Sequence, residues 1–203
     1  MAAQRIPRAF FARPTLEVAR DLLGARLVRV EADGSRTAGI VVETEAYIGE
    51  RDQGCHARAG RTPRTAVMYG PPGHAYVYFT YGMHWLFNVV TEGEGFPAAV
   101  LVRALVPTEG LPRIAQRRRG RPPREWANGP AKLCQALDIT GRDHGRDLCS
   151  ADAPLFFEFA RSFPPESVTT GARVGLNTVP EPWKSIPWRF IVRPEAQAAL
   201  ASG

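Results

Sequence analysis

The dipeptide Asp33-Gly34 stands between two apolar runs, and it constrains the fold of this chain more than any other feature. Arg26 to Ala32 (R-L-V-R-V-E-A) alternates apolar and charged side chains, the period of a half-buried strand. Asp-Gly between two such runs is a strong signal for the turn of an antiparallel hairpin. The partner strand returns over Thr37 to Thr44, with Ile40, Val41 and Val42 as its buried part. The pairing commits the chain to an antiparallel sheet. It also puts Glu45 at the end of a core strand, where a rigid scaffold can aim a side chain.

The flanking elements follow from the same periodicities. Thr15 to Gly24 predicts a helix, with Thr15 as N-cap, an apolar stripe of Leu16, Val18, Ala19, Leu22 and Leu23, and Gly24 just past its end. Ile48 to Gly73 is polar and rich in Gly, Pro and Arg, which predicts a long functional loop. Ala75 to Tyr81 (A-Y-V-Y-F-T-Y) has β-propensity, with Tyr76, Tyr78 and Thr80 on one face and Tyr81 at the tip before Gly82. His84 to Thr91 and Ala98 to Leu105 continue as strands, the second with Arg103 embedded in it. Leu111 to Arg119 predicts a short helix, followed by a basic cluster that reads as a solvated or phosphate-facing rim. A further helix starts at Asn128-Gly129-Pro130-Ala131, and its free N–H groups, with Lys132 beside them, suit a phosphate. Late strands are expected at Pro154 to Ala160 and Trp188 to Val192, with a short segment at Ala172 to Leu176. The sum is a mixed α/β (α+β) fold.

Composition narrows the class. A chain of 203 residues, 44% hydrophobic and without repeats, fits a single domain with its core between about residues 5 and 194. No run approaches the roughly 18 apolar residues of a membrane span, and Met1 to Arg13 lacks the apolar region of a secretory signal. A cytoplasmic protein is expected. Net charge is +6 with pI ≈ 9.7, and Arg far outnumbers Lys, which points to a polyanionic partner or to a basic solvated surface. Three widely spaced cysteines without a C-x-x-C argue against a disulfide framework and a zinc site.

The stretch from Val41 to Asn88 carries the chemistry. Glu43, Glu45, Glu50, Asp52 and His56 lie among all five tyrosines of the chain, with Arg51, Arg58, Arg61 and Arg64 around them. A carboxylate and an imidazole among aromatic rings and cations suit a pocket for a flat ring on a phosphate backbone. Each piece also has an ordinary reading. Glu45 can be a salt-bridged glutamate, His56 a loop histidine and the tyrosines a packed aromatic ladder. Arg103 can serve a structural ion pair as well as a site.

The motifs in combination are more specific. V-E-T-E-A-Y at Val42 to Tyr47, D-x-x-x-H at Asp52 to His56 and T-P-R at Thr62 to Arg64 resemble the alkyladenine (3-methyladenine) DNA glycosylase family. So do Y-V-Y-x-x-Y-G-M at Tyr76 to Met83, Asn88, V-L-V-R-A-L at Val100 to Leu105 and G-P-x-K-L-C-Q-A-L at Gly129 to Leu137. A-R-V-G at Ala172 to Gly175 and the closing W-R-F-I-V extend the match over nearly the whole chain. Thr65 stands where many relatives carry Asn.

The resemblance implies a monomer with a curved, mainly antiparallel sheet flanked by helices. It implies a cofactor-free and metal-free enzyme that flips damaged purines from double-stranded DNA, hydrolyses the N-glycosidic bond and leaves an abasic site. By that resemblance Glu45 activates water, and Arg103 lies beside the water and sugar. Tyr47, His56 and Tyr78 hold the flipped base, while Asn88 tests the 2-amino position. Tyr81 enters the base stack with Met83 beside it. Arg61, Arg64, Gly129 and Lys132 are expected at the DNA backbone, and a nucleoid-associated protein of bacterial type follows. The alternatives are a non-catalytic nucleic-acid-binding module and a small-molecule hydrolase using Glu45 and His56.

Overall fold

Strands β1 (Arg26–Val30) and β2 (Arg36–Ile48) form the predicted hairpin, with Arg26 opposite Ile40 and Gly34 at φ 80° in the turn. The computed structural model describes residues 4–201, without the side chain of residue 201. Around the hairpin stand β3 (Ala75–Thr80), β4 (His84–Val90), β5 (Ala98–Glu109), β6 (Leu155–Glu158), β7 (Val168–Gly171) and β8 (Arg189–Val192). They pair antiparallel in the order β3-β4-β5-β2-β1-β6, and β8 joins β2 at Glu43 to Glu45 while also pairing β7. The helices are α1 (Arg8–Phe11), α2 (Thr15–Asp21), α3 (Leu111–Arg117), α4 (Pro130–Ala136) and α5 (Pro194–Ala201). The sheet is open, and the whole is one mixed α/β domain. Among the described residues no helix is long and apolar enough to cross a membrane.

Alternation sends the two faces of the sheet to different tasks. Val77, Phe87, Val89, Val100 and Val102 form the core face, under Val18, Ala19 and Leu22 of the α2 region and Leu133, Cys134 and Ala136 of α4. Each fully buried aliphatic or aromatic side chain there contributes about 1.5–3 kcal/mol. The other face carries the site. Its central pairing, β2 with β5, shifts register at Ala38 to Gly39 and again beside the site: Val41 faces Leu105, Glu43 faces Ala104 and Thr44 faces Val102. Val42 and Arg103 are therefore the unpaired residues of a local irregularity, the kind of feature that re-aims a side chain.

Several boundaries and roles differ from expectation. Strand β2 continues to Ile48, so Glu45 lies inside a strand, flanked by β5 and β8, and not at its end. Thr15 is not an N-cap; its hydroxyl and its backbone N–H both donate to Glu92 Oε1 at 2.7 Å. A carboxylate from a distant turn thus meets the positive end of α2. Ala172 to Leu176 is loop, and the strand there is the preceding β7, drawn into the sheet by β8. The basic cluster is only partly a rim. Arg117 forks onto Glu31 at 2.9 and 2.8 Å, Arg113 reaches Asp33 at 2.6 Å, and Arg118 is buried against Gln135. Helices α1 and α5 had no clear signal, being short and at the ends of the chain. Thr65 closes its turn without an Asn, accepting from Thr62 N–H at 2.8 Å and donating to Gly60 O at 3.0 Å.

One buried ion pair anchors the far edge. Arg29 on β1 gives two nitrogens to the two oxygens of Asp143 at 3.0 and 2.7 Å, and its Nε donates to Leu137 O at 3.2 Å. Removing one partner of such a pair strands the other charge without solvent. Asp143→Ala is expected to cost about 3–5 kcal/mol of unfolding free energy. Denaturant titration checks this, and a loss under ~1 kcal/mol would contradict the pairing.

Candidate active site

Four neighbouring strands present their non-core face to one cavity of about 330 Å³. Tyr47 comes from β2, Ala99, Leu101 and Arg103 from β5, Leu86 and Asn88 from β4, and Tyr76, Tyr78 and Thr80 from β3. The cavity is closed over by Gly54, Cys55 and His56, by Met68, and by Val174 to Leu176. The long polar segment is thus a lid-like wall with two short 3-10 turns, His56–Ala59 and Ala66–Tyr69, and His56 opens the first of them.

Glu45 stands one layer behind this wall. Its carboxylate has no exposed surface and does not line the cavity. Tyr47 Oη donates to Oε2 at 2.7 Å, Val174 N–H donates to Oε1 at 2.7 Å, and Arg103 Nε lies 3.4 Å from Oε1. Those three neighbours do line the cavity. Arg103 Nε also donates to Glu43 Oε1 at 2.9 Å, and Arg189 Nη1 reaches the same oxygen at 3.5 Å. Burial pushes the Glu45 carboxyl above its ordinary range; Arg103, Val174 N–H and Tyr47 pull it down without cancelling that, and Glu43 adds to the rise. Burial works against the charge of Arg103, yet Glu45 and Glu43 outweigh it and raise its pKa. Arg103 thus makes an ion pair with both glutamates and also lines the cavity.

The aromatic walls are neutral. His56 Nδ1 is 2.8 Å from Tyr76 Oη, and its Nε2 lies 3.5 Å from Arg64 Nη2. A guanidinium only donates, which assigns the His56 proton to Nδ1 and its hydrogen bond to Tyr76. Burial, with Arg64 and Arg58 nearby, lowers the His56 pKa to about 4. Burial pushes Tyr76 up to about 12 and raises Tyr78 and Tyr47 further. Asn88, itself buried, is fixed by donating from Nδ2 to Tyr76 O at 3.0 Å. Arg64 also lies over the Tyr78 ring at 5.1 Å.

At the mouth, Tyr81 and Gly82 take φ 52° and 66° in the β3–β4 hairpin. A bulky residue rarely adopts such a φ, so the tip is held under strain. Tyr81 is 84% exposed and lines the rim of the cavity. Met83 is 68% exposed but faces a second cavity on the other flank of the hairpin. Not every predicted residue converges. Arg61 lies over the Tyr69 ring at 5.9 Å, and Lys132 Nζ is tied to Asn128 Oδ1 at 2.8 Å. Gly129 precedes α4 in extended conformation, and its neighbour Pro130 is the residue that touches the cavity. Sequence reasoning left Tyr76 without a role, though it shares the strand face of Tyr78, and overlooked the Val174 backbone and the Asp52–Arg173 pair beneath it. A backbone donor leaves no signature in side-chain identity.

The site is thus a buried carboxylate beside a bulge arginine, behind an aromatic pocket with a strained aromatic tip. Its class follows from the proteins it is similar to. The methylpurine-DNA glycosylase family profile matches residues 9–196. A protein of Myxococcus xanthus is 48% identical over 188 residues, covering 93% of this chain and 90% of the relative. One from Methanocella arvoryzae is 48% identical over 186 residues, covering 91% and 90%, and one from Bacillus licheniformis is 42% identical over 193 residues, covering 95% of each. All three are named, provisionally, 3-methyladenine DNA glycosylases. The chain belongs to the methylpurine-DNA glycosylase family and is thereby a DNA glycosylase, a hydrolase of N-glycosyl bonds. That sets aside the non-catalytic module.

The walls make a titration prediction. His56 should take up its proton with a midpoint near 4 in the folded protein, against 6.5 for an ordinary histidine. Because the folded-state value is depressed, its contribution to stability is present above pH 6.5 and is lost as pH falls toward 4. Ring-proton NMR on selectively labelled protein measures this, and a midpoint of 6 or above would contradict the buried neutral imidazole.

Proposed function

We propose that this protein extrudes alkylated purines such as 3-methyladenine and 7-methylguanine, and the deaminated purine hypoxanthine, from duplex DNA. It hydrolyses the N-glycosidic bond with a water activated by Glu45 and leaves an intact abasic site. The observation that carries this reading is the placement of Glu45, held without exposure between Val174 N–H, Tyr47 Oη and Arg103 directly behind the aromatic cavity. A cavity near the lower end of the roughly 300–1,000 Å³ of small-molecule sites suits one flat base.

Expelling a purine from deoxyribose builds positive charge on the sugar as the bond breaks. A carboxylate with a raised pKa is a better base than an ordinary one and also stabilises that sugar cation. Each Glu45 oxygen already accepts one hydrogen bond and keeps a lone pair free. The attacking water is assigned to the cavity wall beside Arg103, which itself lines the cavity and lies 3.4 Å from Glu45 Oε1. Arg103 holds the carboxylate charged and orients it. The walls argue for preference among substrates. His56 is neutral near neutral pH, and Tyr47, Tyr76 and Tyr78 keep their protons far above it. No side chain of the pocket is tuned to protonate a leaving base. An alkylated purine already carries the positive charge that lets it leave, whereas hypoxanthine must gain a proton from elsewhere.

Extrusion leaves a gap in the stack, and Tyr81 on its strained turn fills it, with Met83 against the neighbouring base. Arg64 at the cavity edge meets the flanking phosphates, with Arg61, Gly129 and Lys132 further out. Flipping costs a few kcal/mol and is cheapest at a damaged base, which supplies part of the selectivity. The protein acts as a monomer in this reading, since pocket and wedge come from one chain.

Two outcomes test it. Glu45→Gln should bind alkylated duplex DNA as the wild type does and release no purine detectable by chromatography; full retained release refutes the assignment. Tyr81→Ala should keep its melting temperature, the ring being exposed, yet lose roughly 10- to 100-fold in excision at subsaturating DNA, given that stacking is worth about 1–3 kcal/mol per base. Unchanged excision by Tyr81→Ala would remove the wedge from the mechanism.

A further inference from the structure

Arg173 and Asp52 meet with no exposure of either side chain, as a two-pronged pair at 2.5 and 2.7 Å. Asp52 also accepts the backbone N–H groups of Ile48 at 3.1 Å and Gly54 at 2.9 Å, so its two oxygens hold four donors. Arg173 in turn donates to Ala46 O at 2.9 Å and Trp183 O at 3.2 Å, and it lies over the rings of Tyr47 at 4.7 Å and Trp188 at 5.2 Å. Room has been left for it: a Cβ on Gly54 would come within 2.7 Å of Arg173 Nη2.

What this guanidinium touches is a short inventory of what sets Glu45. Ala46 is the residue between Glu45 and Tyr47. The Tyr47 ring, whose hydroxyl donates to Glu45, lies under the guanidinium plane. Val174, whose N–H is the other neutral donor to Glu45, is the next residue in the chain. Buried ion pairs are often no more stabilising than apolar residues of the same volume, so stability alone is a weak account of this one. Its fork reaches strand β2, the wall at Ile48 to Gly54 and the loop at Val174 together.

We propose that Arg173, locked by Asp52, is a positioning residue for base excision: it presents Val174 N–H and Tyr47 Oη to the Glu45 carboxylate. This rests on Glu45 being the base, as read above. The groups facing Glu45 are Glu43 and Tyr47 on its own strand, Arg103 from β5, Tyr78 from β3, and Arg189 opposite it on β8. Of these Arg173 contacts Tyr47, and by chain connection it also sets Val174. Both donors pull the Glu45 pKa down against burial, so loosening them lets it rise. The carboxylate is then lost at a higher pH, and the acid limb of the rate profile moves upward with it.

The test is single-turnover purine release from alkylated duplex DNA as a function of pH, with DNA affinity and circular dichroism measured alongside. Arg173→Met should lose about 100-fold in rate, the scale of an ~1 Å misplacement of catalytic groups, with damaged-DNA affinity within about threefold. Its acid limb should lie at higher pH than that of the wild type. Arg173→Lys, which keeps the charge but cannot form the fork, should shift in the same direction by less, and it decides the matter if the methionine variant does not fold. A folded variant whose acid limb coincides with the wild type's overturns the proposal, whatever its rate, because a merely structural residue lowers the rate without moving that limb. Glu45→Gln is run in parallel. Release retained there sinks the underlying mechanism, whereas release lost there with an unmoved limb in the Arg173 variants sinks only the positioning role.

Discussion

A carboxylate without solvent has to find its stabilisation in the protein, and the placement of Glu45 shapes everything around it. Burial alone would drive it to the neutral acid. Two neutral donors, Tyr47 Oη and Val174 N–H, and one cation, Arg103, offset part of that pull. Each of those donors is itself fixed from behind. Arg103 is pinned by Glu43, and Tyr47 and Val174 are tied to Arg173 and through it to Asp52. The chain of restraint runs outward to the long wall that starts at Ile48, which explains how a polar, glycine-rich segment can form one side of an ordered pocket.

The sheet separates this polar construction from the part that keeps the protein folded. Val77, Phe87, Val89, Val100 and Val102 bury one face under α2 and α4, and their packing asks for nothing but volume and shape. The opposite face holds Tyr76, Tyr78, Asn88, Leu101 and Arg103 on the same strands. Alternation makes this economical, since each strand serves both purposes without compromise between neighbours. The hairpin tip shows a local departure from that economy. Tyr81 sits at φ 52° with most of its ring in solvent, a conformation and an exposure that folding alone would avoid.

Much of the fold was legible because it rests on local periodicity. The Asp33-Gly34 hairpin, the face shared by Tyr76, Tyr78 and Thr80, the tip at Tyr81 and the helix after Pro130 each follow from spacing or turn chemistry within a few residues. The readings that failed depended on partners far along the chain. Thr15 looks like a cap until Glu92 is brought to the start of α2. The arginines from Arg117 to Arg124 look like a rim until Glu31 and Gln135 arrive beside two of them. Strand β7 has little pattern of its own and exists because β8 offers it an edge. Glu45 looks like a strand-end residue until β5 and β8 pair with β2 on both sides and carry the strand on to Ile48.

By itself the sequence determined the antiparallel plan, the strand faces and the set of residue types gathered around the aromatic cavity, because these depend on contacts between near neighbours and on motif order along nearly the whole chain. Only the tertiary structure decided which glutamate is buried, which cation answers it and what holds that cation's neighbours still. Glu43 and Glu45 share a strand face and look alike in the chain. They part because Glu45 alone is covered by a backbone donor from a loop 129 residues away, and solvent exclusion by distant segments is not written in local sequence.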